Sequence, residues 1–167
     1  MQEIPNGNEL KPYFQNVHVI DVKTIDGRGD LRYFLSRMLS YYPWWIVLLY
    51  RLRELLVLLL GLERHPRPEA LPVVEPRALS FTAGDKATFF VVRDACENCY
   101  WVAETPPDNH LAAYFGVSVE ALSGSLRRFH VFTTVRYLHW TGPVYFNLIR
   151  PFHHLVVRRM MKAGVAP

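Results

Sequence analysis

The sequence predicts an α+β domain: one curved antiparallel sheet, a long C-terminal helix laid against it, and two helices inserted after the first strand. Three observations lead there. The hydrophobic period is 2 over 16–24, 3.6 over 31–60, 2 again over 77–139 and 3.6 from 143 to 163. The links between the later strands are short, which makes those strands antiparallel neighbours. A chain of 167 residues that is 50% apolar and 20% charged suits a single domain, 1–167, able to bury a core. The same composition excludes disorder and collagen-like repeats, and two cysteines exclude a disulfide scaffold.

Residues 1–15 are polar and proline-containing, read as irregular or poorly ordered and as lacking a secretory signal. The first strand alternates over 16–24 before Gly27 and Gly29 break the chain. Asp30 is placed to cap a helix over 31–40, and Pro43 opens a second helix over 43–60 that stops at Gly61. Pro66, Pro68, Pro72 and Pro76 make 63–76 an extended linker. Strands follow at 77–82, 86–93, 99–105, 109–121 and 126–139, joined by turn residues at 94–98, 106–108 and 123–125. Pro143 starts the last helix and Gly164 ends it, with Pro151 expected to kink it.

The window 43–62 is the most apolar in the chain and long enough to span a bilayer. Arg51, Arg53 and Glu54 stand at its centre and each costs about 2.5–3.5 kcal/mol on insertion, which removes most of the gain. On a helical wheel Trp45, Leu48, Leu49, Leu52, Leu55, Leu56 and Leu59 fill one half. The charged residues share the other half with Ile46, Val47, Val57 and Leu58. Such a helix needs a cover on both sides: the domain itself, a partner subunit or a membrane surface.

Charge is unevenly spread. Residues 1–120 carry 12 Lys and Arg against 15 Asp and Glu, whereas 121–167 carry seven cations and no acid. That end of the chain suits an anionic ligand or lipid headgroups, or simply a solvated strand and a helix C-terminus. No nucleic-acid-binding motif accompanies it, and nucleic acid is not an expected partner. Cys96 and Cys99 form a CxxC without a second ligand pair, so no metal is expected and the thiols fit a reducing cytosol. The expected location is cytoplasmic, with peripheral membrane contact as the variant.

In 109–121 the odd-numbered positions Leu111 to Ala121 form one face. In 126–139 Phe129, Val131, Thr133, Val135 and Tyr137 form the more apolar one. Small residues there leave room for a cavity that helix side chains fill or leave open. Of seven histidines, His153 follows Phe152 at the edge of the buried stripe of the last helix, either as a satisfied core residue or as an anchor in a pocket. His110 has only Asp108 nearby. No nucleophile elbow, dinucleotide fingerprint, phosphate loop or zinc-protease motif is present, and no catalytic residue or cofactor is expected.

The run from Arg128 to Met161, with a strand entering a helix at Pro151-Phe152-His153, resembles a bacterial family known as domain of unknown function 2867. Val19-Ile20-Asp21, Pro43-Trp44-Trp45, the Leu49–Leu52 stretch and Phe81-Thr82-Ala83-Gly84-Asp85 add to the resemblance, which extends over about 16–163. Cys96 and Cys99 stand outside it. The family has no established activity. The resemblance implies a helix-grip-like α+β fold similar to START and Bet v 1 relatives (the SRPBCC superfamily), with six strands counted here where that fold has seven. It also implies a pocket between sheet and C-terminal helix. Non-catalytic binding of a small apolar ligand or lipid is the expected function, with Phe89, Val91, Trp101, Phe115, Val119, Thr133, Tyr137, Phe152 and His153 as lining. The alternative is an interaction or membrane-surface module acting through 43–60 and the basic C-terminal segment, with Trp44, Trp45, Arg158 and Arg159 in the interface. A further alternative is a cyclase-like or hydrolase-like enzyme with His153 or His110 as base. The unsatisfied faces also suit a homodimer.

Overall fold

The computed structural model describes residues 4–59, 74–106 and 110–166. Strand β1 (Val19–Arg28) is followed by helices α2 (Leu31–Leu39) and α3 (Trp44–Leu59), five strands and helix α4 (Thr141–Val165), preceded by one helical turn, α1 (Gly7–Leu10). The strands are β2 (Lys86–Ala87), β3 (Phe90–Cys96), β4 (Tyr100–Glu104), β5 (Leu111–Ala121) and β6 (Leu126–Tyr137), in one antiparallel sheet of order β1-β6-β5-β4-β3-β2. Strand, two helices, antiparallel strands and a long last helix is the helix-grip arrangement.

Several elements differ from expectation for local reasons. β1 runs through Gly27, where a Cβ would meet Val165 Cγ1 at 2.5 Å, and stops at Gly29, whose φ is +105°. The strand expected at 77–82 is absent. A 3-10 turn at Pro76–Ala78 takes its place, and side chains bond the carbonyls a ladder would have used: Arg32 donates to Leu79 O and Trp101 Nε1 to Ser80 O. The strand expected at 86–93 splits at Thr88, whose φ is 61°, into β2 and the start of β3. α4 is unbroken through Pro151. The expected linker lies outside the described residues up to position 73, as do 107–109 of the link before β5.

Alternation sorts the side chains into two faces. The inner face gathers Phe90, Val92, Trp101, Phe115, Val117, Phe129 and Val131, and α2 packs Leu31, Phe34, Leu35, Met38 and Leu39 into it. Those five recur at the spacing of one helical face, and Asp30 caps the helix by accepting from Tyr33 N–H at 2.7 Å. α4 then packs Val157 and Met161 into the same core. The outer face is also covered. Segment 4–14, expected to be irregular, forms α1 and a 3-10 turn that buries Leu10 completely against Tyr100, Val102 and Phe132. Ser118 Oγ donates to Pro5 O and Thr134 Oγ1 to Tyr13 O, so the segment's carbonyls are satisfied by the strands it covers.

Gly116 shows how tight that outer layer is. A Cβ there would sit 2.3 Å from Cζ of Phe132, a fully buried ring with nowhere to go. Gly116→Ala is expected to cost about 1–3 kcal/mol in urea denaturation, and adding Phe132→Leu to recover part of the loss.

Candidate functional site

β1 places two opposite charges on the inner face beside α4. Asp21 and Lys23 stand two apart in the strand, so both point inward, opposite Thr133 and Val131 of β6. Lys23 Nζ donates to the Asp21 carboxylate and lies 2.9 Å from His154 Nδ1, which is itself 3.3 Å from Asp21 Oδ2. Burial alone would raise the Asp21 carboxyl, but the Lys23 ammonium and both neighbouring histidines outweigh it and hold it below the usual range. His153, one position earlier on α4, is turned into the protein beside Phe146, and burial pushes its pKa down to about 4. Its Nε2 and the Thr133 hydroxyl have no hydrogen-bond partner among the described residues.

Beyond this cluster the edge of β1 and the second half of α4 enclose an open groove of about 480 Å³. Ile25, Leu155 and Met161 supply apolar surface, and Lys23, Arg158, Arg159 and Lys162 line it with positive charge. No acid is among the lining residues, and the three α4 cations form no ion pair among the described residues. A cleft of this size and lining can hold a small molecule with an anionic end and an apolar body.

The residues expected to line a cavity do not stay together. Trp101, Phe115 and Val119 are core, buried against each other and α2, because α2 rather than a ligand fills the centre of the inner face. Phe89, in the turn before β3, lies with its ring centroid 4.1 Å from that of Phe90. Val91 falls on the opposite face from Phe90 and Val92, beside Glu104. Tyr137 stacks on His18 at the far end of β6, and Phe152 is turned outward and 40% exposed. Thr133 and His153 both neighbour Asp21, Thr133 as its cross-strand partner and His153 from α4. Of the expected interface residues, Trp44 is 77% exposed, Arg158 and Arg159 are exposed, and Trp45 is half-buried near Tyr41.

The other chemical candidates are satisfied locally. His110 Nδ1 and His139 Nδ1 both reach Thr141 Oγ1, at 2.8 and 3.0 Å. Cys96 and Cys99 are free thiols. Their mutual hydrogen bond is the main cause that pushes Cys96 up to about 11, far from a reactive thiolate. Among the described residues no group of three or more His, Cys, Asp or Glu could hold a metal ion.

The family model described as "Protein of unknown function (DUF2867)" matches residues 12–160. The chain belongs to this family. The match spans every strand and nearly all of α4, including Asp21, Lys23, His153, Arg158 and Arg159, and ends just before Met161 and Lys162. Three solved structures are similar. A hypothetical protein from Helicobacter pylori is 10% identical, with 99% of this chain and 98% of that chain covered at a TM-score of 0.45. Norcoclaurine synthase from Thalictrum flavum is 8% identical, with 91% and 88% covered at 0.43. An uncharacterized protein from Rhizobium leguminosarum is 12% identical, with 88% and 96% covered at 0.38. No curated protein matches.

Sequence reasoning did not assign Asp21, Lys23, Ile25, His154, Leu155 or Met161 to this site, and read Lys162 only as part of the basic C-terminal segment. One signal was available: two opposite charges at i and i+2 in a strand share a face, and in β1 that is the face carrying Ile25.

His153 gives the cluster a pH signature. An unfolded imidazole titrates near 6.5, so between pH 6.5 and 4 the unfolded chain takes up a proton that the folded one refuses. This contribution to stability is intact above pH 6.5 and falls by up to about 3 kcal/mol as the pH drops towards 4. Asp21 acts only below its ordinary 3.8, outside that window. His153→Leu is expected to flatten the curve between pH 6.5 and 4 in chemical denaturation. An unchanged slope would mean that another group titrates.

Proposed function

We propose that this family member binds a small amphipathic anion in the groove between β1 and α4. The head, a carboxylate or phosphate, lies among Lys23, Arg158, Arg159 and Lys162. The apolar body lies on Ile25, Leu155 and Met161. One observation carries this reading: three α4 cations without ion pairs among the described residues, Lys23 beside Asp21, and three apolar side chains line one open space whose lining holds no acid. Arg158, Arg159 and Lys162, which form no ion pair among the described residues, keep their charge for a ligand, and an apolar floor selects a molecule with a hydrocarbon part. The ligand class thus keeps the apolar character expected from the sequence and gains a charge. Its place stays between the sheet and the C-terminal helix but lies at the β1 edge, with other lining residues than those expected.

The chemistry of the site favours holding over turnover. Asp21 is tied up with Lys23 and His154, and the neutral His153 faces Phe146 rather than the groove lining. Titration calorimetry with decyl phosphate and decanoate, with decanol as the uncharged control, tests the proposal. Both anions are expected to bind more tightly than decanol, and Arg158→Glu combined with Arg159→Glu to weaken them about tenfold, or about 1.4 kcal/mol. Added salt weakens binding in the same sense. Equal affinity for decanol, or a charge reversal without effect, overturns the reading.

A further inference from the structure

α3 is docked with its polar side inward. Ile46 and Val57 are buried. Arg53, on the same side of the helix, donates to the Tyr145 hydroxyl of α4 and lies over that ring at 5.7 Å. Glu54, the one acid of either helix, is half-buried and partnered. The leucine-rich half of the wheel is therefore outside: Trp44, Leu48, Leu52, Leu55 and Leu59 follow one another along α3, each more than 40% exposed. α4 repeats the pattern. Its side away from Phe146, Val157 and Met161 shows Val144, Leu148, Phe152 and Leu155, then Arg158, Arg159 and Lys162 in its last turns. Because Arg53 and Tyr145 join the two helices, the two outer faces adjoin.

We propose that the adjoining outer faces of α3 and α4 dock the protein onto an anionic lipid bilayer, lying on the membrane and not crossing it. Charge decides the occupant. Every exposed charge on the two helices, Arg51, Arg150, Arg158, Arg159 and Lys162, is positive. A second copy placed on this face meets the same cations with no acid to neutralise them. A membrane with anionic headgroups supplies the missing sign and, just beneath, hydrocarbon for the leucines. Trp44 opens α3 and the 76% exposed Trp140 precedes α4, positions where indoles sit at a headgroup boundary. The described part of α3, Trp44–Leu59, has 16 residues, about 24 Å. No helix among the described residues is long and apolar enough to cross a membrane.

The proposal does not depend on the groove holding a ligand, and the test separates the two. Flotation is measured with vesicles of phosphatidylcholine alone and of phosphatidylcholine mixed with phosphatidylglycerol, at low and high salt. The expected result is flotation with the mixed vesicles that weakens with salt, and a loss of about tenfold or more in the double variant Leu48→Glu, Leu52→Glu. That variant leaves the groove lining untouched. Its unchanged binding of decyl phosphate and unchanged thermal unfolding show that it is folded. Three results overturn the proposal: no flotation with the mixed vesicles, equal flotation with neutral and anionic ones, or a lipid-free dimer that the double variant dissolves. Failure of decyl phosphate binding with intact flotation counts against the groove alone.

Discussion

The molecule closes on one contact, the ring of Phe34 from α2 lying flat on Phe129 of β6, with centroids 4.1 Å apart and planes 5° from parallel. Glycines admit the neighbours. A Cβ on Gly164 would strike Phe34 at 2.6 Å, and one on Gly27 would strike Val165. At this point α2, α4, β1 and β6 share one small volume in which no side chain larger than hydrogen fits at either glycine. The consequence reaches the whole inner face. With α2 seated on the sheet centre, α4 is displaced onto α2 and the β1 edge, and the space that remains is the groove beside β1.

That displacement explains why the polar residues of the inner face stand where they do. An ion pair in the centre of the sheet would bear the full cost of leaving water. On the edge strand, Asp21 and Lys23 keep part of their hydration and each other, and His154 closes the group. His153 lies deeper and stays neutral, since the nearby Asp21 carboxylate returns less than ionisation would lose on burial and beside Lys23 and His154. Such a cluster adds little to stability. What it adds is a polar end to a groove whose other walls are aliphatic and cationic.

The same balance sets the exterior. α3 contributes Ile46 and Val57 to the interior and joins α4 through an arginine and a tyrosine, so most of its apolar surface is left outside. The outer layer of the sheet is treated in the opposite way: Leu10 and its neighbours seal Tyr100, Val102 and Phe132 from water. One face of the molecule is thus closed by its own N-terminal segment, while the helical side stays apolar and positive.

Much of this was legible in the residues. The change of period marks sheet and helices, Asp30 and Pro43 mark helix starts, and alternation in β5 and β6 sorts inner from outer positions correctly, because those patterns are local. The resemblance carried by Pro151-Phe152-His153 and the upstream motifs led to the family. What sequence could not supply depends on which surfaces meet. Gly27 reads as a break until Val165 is seen to need its missing Cβ, and 77–82 reads as a strand until Arg32 and Trp101 take its carbonyls. Trp101, Phe115 and Val119 read equally well as cavity wall or as core, since both are apolar and inward; only the seating of α2 makes them core. The sequence by itself determined most of the elements, the two faces of β5 and β6, and the one-sign charge of the last 47 residues. Tertiary structure alone decided where space was left and which half of α3 faces outward, because both follow from close packing between segments far apart in the chain.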